Sequence, residues 1–268
     1  YAEMSAVNPV ILMPDAVAAN ANGIAQGLVA SVTMGVGQFC TNPGLVFMVN
    51  DDNAAGFLNT LSEGFKNAMP GTMLSANICA NYYSGVDKLK STAAVTALAH
   101  SNTAADAAKT EALPYVFTVT QKDFIANKQL SHEVFGPATL VVLCNNVDEI
   151  GDILKDMEGQ LTATVHATGA DEKQIQPVID LMKEKAGRVI FGGFPTGVEV
   201  CDAMVHGGPF PSTTDGRSTS VGTAAILRFV RPVAYQNFPA HLLPDALKNN
   251  NPLHILRKVN GMFTKNAF

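Results

Sequence analysis

Cys40 has the residue type and the setting of a nucleophile. It lies in residues 35–44, GVGQFCTNPG, where glycines precede it and a Pro-Gly pair follows it. Glycine and proline favour a bend over a helix interior. A glycine-rich loop also lets backbone N–H groups approach a reacting carbonyl, and a thiol reacts as its thiolate. The pattern predicts that Cys40 is a catalytic nucleophile on a loop.

The other three cysteines lack such a setting. Cys79, Cys144 and Cys201 are expected to be small buried side chains, the usual state of a free cysteine, and Cys144 directly follows the apolar run at residues 140–143. The irregular spacing, without Cys-x-x-Cys, predicts neither a disulfide framework nor a zinc site. A reducing, cytoplasmic compartment is therefore expected.

Two glutamate motifs accompany Cys40. Glu3 opens residues 3–9, EMSAVNP, and Glu133 lies in residues 132–137, HEVFGP. Taken with Gly-Gln-Phe-Cys at residues 37–40, the order of these motifs resembles that of the aldehyde dehydrogenase superfamily. Residues 207–217, GGPFPSTTDGR, followed by SVGT, are similar to the branch containing α-ketoglutaric semialdehyde (2,5-dioxopentanoate) dehydrogenases and related NADP-dependent enzymes.

The resemblance implies a reaction in which Cys40 attacks an aldehyde. The resulting thiohemiacetal loses hydride to NAD or NADP and becomes a thioester, and its oxyanion is partly bound by the Cys40 backbone N–H. Glu3 is implied as the general base that activates water for hydrolysis. Because a carboxylate beside a thiolate raises the thiol pKa, we expect Glu3 to be mobile or set back and to act through water.

The resemblance also implies binding residues. Glu133 is expected to accept hydrogen bonds from the ribose hydroxyls of the cofactor, with Phe135 packed near the nicotinamide. Phe39 and Thr41 flank the nucleophile and are expected to shape the aldehyde pocket. Arg217 is a candidate for pairing with a substrate carboxylate. The sequence does not distinguish NAD from NADP.

Two other functions remain open. Cys40 could serve a cysteine hydrolase or acyltransferase, which predicts a histidine within hydrogen-bond reach of the thiol. The chain could instead be an assembly module, which predicts a buried, unreactive Cys40. The histidines themselves are expected to be structural, namely His132, His166 and His206.

The domain organisation is expected to be incomplete. No Gly-x-Gly-x-x-Gly follows a strand, and the resemblance covers only the catalytic half of the family's usual subunit, so the N-terminal dinucleotide-binding domain is expected to be absent. Residues 1–222 are expected to form the catalytic domain. Residues 223–268 are expected to form an extended strand, at 223–233, and a C-terminal tail. The resemblance implies that this strand pairs across a subunit boundary in a homo-oligomer, and an ordinary edge strand is the alternative.

Alternating apolar strands and amphipathic helices predict an α/β fold with a mainly parallel sheet covered on both faces. The expected strands are 7–13, 45–49, 115–119, 139–143, 161–166 and 188–191. The expected helices run from Asp15 towards Gly35, from residues 51–52 to Pro70, and over 86–98, 147–157 and 171–185.

Composition limits the possible partners. The 268 residues are 47% hydrophobic and 15% charged, so part of the apolar surface is expected to meet a partner. A net charge of −5 and a pI of 5.6 argue against nucleic-acid binding. No stretch approaches the roughly 18 apolar residues that span a bilayer, which argues against membrane contact.

Overall fold

The computed structural model describes all 268 residues, which divide into two compact units, Tyr1–Arg228 and Phe229–Phe268. The strands of the first unit are β1 Val10–Leu12, β2 Leu45–Val49, β3 Gly71–Thr72, β4 Thr96–His100, β5 Glu111–Ala112, β6 Tyr115–Thr120, β7 Ala138–Cys144, β8 Gln160–His166 and β9 Ala186–Phe191. Its α-helices are α1 Pro14–Thr33, α2 Ala54–Asn67, α3 Ala76–Ser91, α4 Gln121–Ala126, α5 Val147–Asp156 and α6 Glu172–Lys185.

Seven strands form one sheet in the order β4-β6-β7-β2-β1-β8-β9. Every neighbouring pair is parallel except β4 and β6. The short strands β3 and β5 pair separately. The predicted α/β class with a mainly parallel sheet is confirmed.

The central strands are apolar on both faces because helices cover both. Parallel register places buried side chains of five strands in one row on the first face: Ile11, Phe47, Val119, Val142 and Val165. This row packs in one core with residues of α3, α4, α5 and α6. The opposite face, which includes Val46, packs against α1 and α2. Burial on both sides fixes the register, since a slip by one residue would exchange the two faces.

The region between α2 and β6 differs from expectation. The sequence predicts a helix over residues 86–98, but α3 begins at Ala76, where Ser75 Oγ accepts a 3.3 Å hydrogen bond from the Ile78 N–H. The chain then forms β4 at Thr96–His100 as an antiparallel edge strand. The apolar spacing alone is compatible with a helix that continues to residue 98. The Ser75 cap instead begins the helix at Ala76, and the pairing of β4 with β6 makes residues 96–100 a strand.

The strand predicted over residues 223–233 is absent from this single chain. Residues Thr223–Arg228 form a short 3₁₀ helix, in which the Ala225 N–H donates to the Gly222 carbonyl at 3.1 Å, and residues 229–233 are irregular. A strand needs a neighbouring strand, and the prediction placed that neighbour on another subunit. Within one chain, residues Thr223–Arg228 form local 3₁₀ pairing instead.

The second unit contains the antiparallel pair β10 Arg257–Val259 and β11 Met262–Thr264. Asn251 links the two open ends of this strand pair. The Asn251 Nδ2 atom donates to the carbonyl of Ile255, which precedes β10, at 3.0 Å, and to the carbonyl of Lys265, which follows β11, at 2.8 Å. None of the helices in either unit has both the length and the apolar character that crossing a bilayer requires.

Candidate active site

The candidate site lies at the amino ends of the parallel strands. Glu3 precedes β1, Cys40 precedes β2 and Glu133 precedes β7. The segment after β9 returns to this edge, where Gly187 meets the Gly207 carbonyl so closely that a Cβ on Gly187 would lie 2.1 Å from it. Ligands of open α/β sheets usually bind at the carboxyl ends of the strands, so this arrangement is a departure from the general rule.

The loop that carries Cys40 depends on a left-handed glycine. Gly37 has φ +65°, and a Cβ there would lie 2.2 Å from the backbone carbon of Gly136. Only glycine allows this backbone contact. The contact joins the Cys40 loop to the loop that follows Glu133, and thus sets the distance between the two motifs.

Asn8 holds the carbonyl of the nucleophile. Its Nδ2 donates to the carbonyls of Cys40 and Asn42 at 2.9 and 3.0 Å, and its Oδ1 accepts from Thr162 Oγ1 at 3.0 Å. Asn8 is 1% exposed and has φ +47°, a conformation that asparagine tolerates better than most residues. The residue lies within the Glu3 motif, but the sequence indicates no role for it.

Glu3 is held in place by neighbouring backbone. It forms an antiparallel bridge with Thr213, the Met4 N–H donates to the Ser212 carbonyl at 2.8 Å, and the Thr214 N–H donates to the Ala2 carbonyl at 3.0 Å. Ser220 Oγ also donates to Glu3 Oε2 at 3.2 Å. The Glu3 backbone is therefore held by residues 212–214, and its carboxylate is held by Ser220.

His206 lies between Glu3 and Cys40. Its Nε2 is 3.1 Å from Cys40 Sγ and 3.3 Å from Glu3 Oε1, whereas its Nδ1 has no hydrogen-bond partner in the protein. The His206 backbone N–H donates to Thr219 Oγ1 at 2.8 Å, and its carbonyl accepts from the Ser220 N–H at 2.8 Å. His206 was expected to be structural, and the structure places its ring within hydrogen-bond reach of the thiol, a position that the sequence does not indicate.

These surroundings raise the pKa of the Cys40 thiol to about 11. Burial is the largest cause, although part of the residue remains exposed, and the Glu3 carboxylate adds repulsion. The backbone N–H groups of Cys40 and Thr41 point at the sulfur and oppose the shift. The reacting atoms of Glu3, Cys40 and His206 all lie within 4.8 Å of one another. Glu3 was expected to be mobile or set back from the thiol, and in this structure its carboxylate lies close to the sulfur.

Glu133 lies beside the Glu3 segment. Its Oε2 accepts a 2.8 Å hydrogen bond from Ser5 Oγ, and the Ala6 N–H also donates to the carboxylate. Burial raises the Glu133 pKa, and these two donors reduce the shift. Phe135, two residues on, is 37% exposed.

The remaining predicted residues occupy different surroundings. Thr41 is 1% exposed, and Phe39 packs so closely on Gly35 that a Cβ there would meet its ring. The Arg217 side chain is 95% exposed and contacts Asp215 at 3.4 Å. The structure therefore does not bring Arg217 together with Cys40, Glu3 and His206.

Other cysteines and histidines lie outside the cluster. Cys144 is buried as expected, and burial raises its pKa to about 12, whereas Cys79 and Cys201 are only partly buried. His132 is exposed, and burial lowers the pKa of His166, which packs against Phe194. A cavity of about 520 Å³ is lined by residues of α4 and α5 and by Gln160, and does not include the cluster.

Two solved dehydrogenase structures are similar in fold to this chain. The Δ¹-pyrroline-5-carboxylate dehydrogenase of Mycobacterium tuberculosis, solved with NAD bound, superposes with a TM-score of 0.70 at 16% identity, over 90% of this chain and 45% of that one. The γ-glutamyl-γ-aminobutyraldehyde dehydrogenase of Burkholderia cenocepacia gives 0.66 at 20% identity, over 84% and 44%. At such low identity the likeness defines the class of fold alone.

Sequence comparison identifies the family. The sequence pattern described as the aldehyde dehydrogenase family matches residues 1–230, and this chain belongs to that family. The α-ketoglutaric semialdehyde dehydrogenase of Acinetobacter baylyi is 46% identical over 99% of this chain and 50% of its own length. The α-ketoglutaric semialdehyde dehydrogenase 2 of Azospirillum brasilense is 45% identical over 97% and 49%. The chain thus spans about half the length of these curated relatives.

Proposed function

We propose that this chain is the catalytic portion of an NAD(P)-dependent aldehyde dehydrogenase that oxidises a small semialdehyde to the carboxylate. The observation that carries the proposal is the meeting of Cys40, Glu3 and His206 at one point, from three distant parts of the chain. Family membership supports the same reaction.

The first step activates the thiol. With a pKa of about 11, Cys40 is protonated at neutral pH, and His206 Nε2 at 3.1 Å is a base within hydrogen-bond reach. His206 takes the proton as Sγ bonds to the aldehyde carbon, and the neighbouring Glu3 carboxylate stabilises the imidazolium that forms. Because Nε2 contacts both the Cys40 sulfur and the Glu3 carboxylate, Nε2 accepts the thiol proton and holds it beside Glu3, and Nδ1 takes no part in the transfer. The Cys40 backbone N–H would partly stabilise the developing oxyanion.

Hydrolysis of the thioester uses the same groups. Glu3 removes a proton from a water molecule as the water oxygen attacks the thioester carbonyl, and the Cys40 thiolate then leaves with the electrons of the C–S bond. The thiolate recovers its proton from the His206 imidazolium, and the carboxylic acid product and protonated Glu3 each release a proton to solvent. Ser220 and the bridge to Thr213 hold Glu3 for this step.

Bound NAD or NADP would accept the hydride released between these two steps. The residues that fit such a cofactor here are Glu133, whose carboxylate retains acceptor capacity beside Ser5, and Phe135, whose exposed ring can lie against a flat heterocycle. We infer that the main dinucleotide-binding domain is not part of these 268 residues, and that it decides between NAD and NADP.

The substrate class follows from the relatives. Both curated relatives are named for α-ketoglutaric semialdehyde, so 2,5-dioxopentanoate, oxidised to 2-oxoglutarate, is the first candidate. Phe39 and Thr41 flank Cys40 and would line the aldehyde site. Arg217 would have to turn from its exposed position to meet a substrate carboxylate.

We further propose a cytoplasmic homo-oligomer. Large exposed apolar side chains in the second unit support an interface there, among them Phe229, Met262 and Phe263 at 86%, 74% and 72% exposure. Residues 223–233 would pair as a strand only in that assembly. Light scattering on the complete protein tests the stoichiometry.

The test of the enzymatic proposal uses the complete protein with each nicotinamide cofactor. We expect reduced nicotinamide to form with 2,5-dioxopentanoate, and the rate to fall to background in Cys40→Ser but not in the control Cys201→Ser. Oxidation that is unaffected by Cys40→Ser would refute the proposal. Oxidation of other aldehydes but not of 2,5-dioxopentanoate would refute only the substrate.

A cysteine hydrolase or acyltransferase is the second candidate. It predicted a histidine within hydrogen-bond reach of Cys40, and His206 lies at 3.1 Å. Thioester hydrolysis without any nicotinamide, combined with no aldehyde oxidation by the complete protein, would favour it. The assembly-module alternative required a buried Cys40, and Cys40 is exposed.

A further inference from the structure

The side chains that would perform the reaction are also a set of metal ligands. Cys40, His206 and Glu3 each offer one ligand atom, and these atoms lie within 4.8 Å of one another. Thiolate, imidazole and carboxylate are the ligands of protein-bound zinc, whereas magnesium and calcium prefer oxygen ligands alone. The chemistry of the set therefore selects a thiophilic divalent ion.

Two of the three ligand separations are close to those in a zinc site, and the third, between Cys40 Sγ and the Glu3 carboxylate, is within 4.8 Å. Tetrahedral zinc with Zn–S near 2.3 Å and Zn–N near 2.0–2.1 Å separates sulfur from nitrogen by about 3.5 Å, and nitrogen from a carboxylate oxygen by about 3.4 Å. The corresponding distances here are 3.1 Å and 3.3 Å. Adjustments of a few tenths of an ångström would admit the ion.

The ligands are held before any ion arrives. Asn8 fixes the Cys40 carbonyl, Thr219 and Ser220 fix the His206 backbone, and Ser220 also contacts the Glu3 carboxylate. Cys40 and Glu3 are partly open to solvent, which gives an ion access and leaves a fourth position for water. Three protein ligands with one open position is a stable arrangement for zinc.

We propose that Cys40, His206 and Glu3 bind Zn²⁺, and that bound Zn²⁺ reversibly inhibits the enzyme. Binding converts the Cys40 thiol to a zinc-bound thiolate and releases its proton to solvent. The sulfur lone pair then bonds to the metal and is withheld from an aldehyde, while Glu3 and His206 are withheld from proton transfer. The inhibitory consequence rests on the proposed function, and the binding itself does not.

The binding test uses this chain, Zn²⁺ in competition with a chromogenic chelator, and Co²⁺ as a spectroscopic substitute. We expect one ion per chain and a thiolate-to-cobalt charge-transfer band. Cys40→Ser should abolish the band. Cys40→Ser and Glu3→Gln should each weaken Zn²⁺ binding by at least about 10–100-fold, because losing only a residue that hydrogen-bonds to a ligand already weakens metal binding by that much. Cys201→Ser should bind as the unaltered chain does. His206→Gln is also measured if circular dichroism shows that it folds. If it does not fold, the substitutions at the exposed ligands Cys40 and Glu3 are sufficient for the test.

Absence of saturable binding, or equal affinity in Cys40→Ser, would overturn the proposal. Inhibition is measured on the complete protein by adding Zn²⁺ and then EDTA, and activity should fall and return. Activity that Zn²⁺ at saturating concentration leaves unchanged would overturn the inhibitory role. Site-specific binding to a protein without aldehyde oxidation would refute the proposed function and leave the metal site standing.

Discussion

The Nε2 atom of His206 lies 3.1 Å from the Sγ atom of Cys40, although 166 residues separate them in the chain. The same nitrogen lies 3.3 Å from Glu3 Oε1. A thiol that is mostly protonated at neutral pH thus has a base within hydrogen-bond reach. Both the base and the framework that holds it can be tested by substitution.

Replacing His206 by glutamine should slow ester hydrolysis by this chain. Removing a positioned base or acid costs about 10²–10⁴-fold in rate. The loss should shrink at high pH, where hydroxide deprotonates Cys40 without help. His132→Gln, on an exposed residue, is the control. A pH-independent loss would indicate a structural role instead.

Alkylation of Cys40 should depend steeply on pH. With a pKa of about 11 the thiolate fraction at pH 7 is roughly 10⁻⁴, so in metal-free buffer the rate should rise about tenfold per pH unit up to pH 10. Glu3→Gln removes a charge that disfavours the thiolate, and should therefore lower the pKa and speed labelling at neutral pH. Mass spectrometry of the labelled peptide measures both rates. The exposed Glu172→Gln is the control, and equal acceleration in it would contradict the role of Glu3.

Replacing Asn8 by alanine should destabilise the fold. The change removes the donor to the part-buried Cys40 carbonyl and to the buried Asn42 carbonyl, and places alanine at φ +47°. We expect the free energy of unfolding to fall by about 2–4 kcal/mol, measured by denaturant titration. Asn53→Ala, on an exposed residue that makes no helix-cap hydrogen bond, should change it by less than about 0.5 kcal/mol. A similar small change for Asn8→Ala would show that Asn8 does not support the loop.

Alanine substitutions at two glycines should act in opposite directions. Gly37→Ala forces a Cβ to within 2.2 Å of Gly136 at φ +65°, and should destabilise the protein by more than about 2 kcal/mol. Gly56 lies in α2, where an added Cβ would have no atom within 4 Å, so Gly56→Ala should stabilise the protein by about 0.5 kcal/mol. Thermal unfolding measures both. Similar effects at the two positions would contradict the packing described.

Ser5→Gly should raise the pKa of Glu133. The Ser5 hydroxyl donates to the carboxylate and favours its charged form, so its removal leaves the effect of burial less opposed. A carboxyl-selective NMR titration measures the pKa. Ser5→Thr keeps the hydroxyl and should titrate close to the unaltered chain. A pKa that is unchanged or lower in Ser5→Gly would refute this account of Glu133.

Local patterns are enough to predict most of the sheet. The strand at Leu45–Val49 is a continuous apolar run, because a central parallel strand is buried on both faces, and its bounds can be read directly from the sequence. Cys40 and Glu3 are found through motifs, and the structure brings them together. His206 cannot be found in this way, because its place depends on the close contact of Gly187 with Gly207, on the hydrogen bond that its N–H donates to Thr219 and on the one that its carbonyl accepts from Ser220.

The central claim is that Cys40 attacks a carbonyl carbon, and trapping the acyl intermediate tests it most directly. This chain would be mixed with an activated ester, p-nitrophenyl acetate, quenched in acid and mapped by mass spectrometry. We expect an acetyl group on Cys40, no such adduct in Cys40→Ala, and a longer-lived adduct in Glu3→Gln because hydrolysis is slowed. Acetylation spread evenly over the four cysteines, or ester hydrolysis undiminished in Cys40→Ala, would contradict the account.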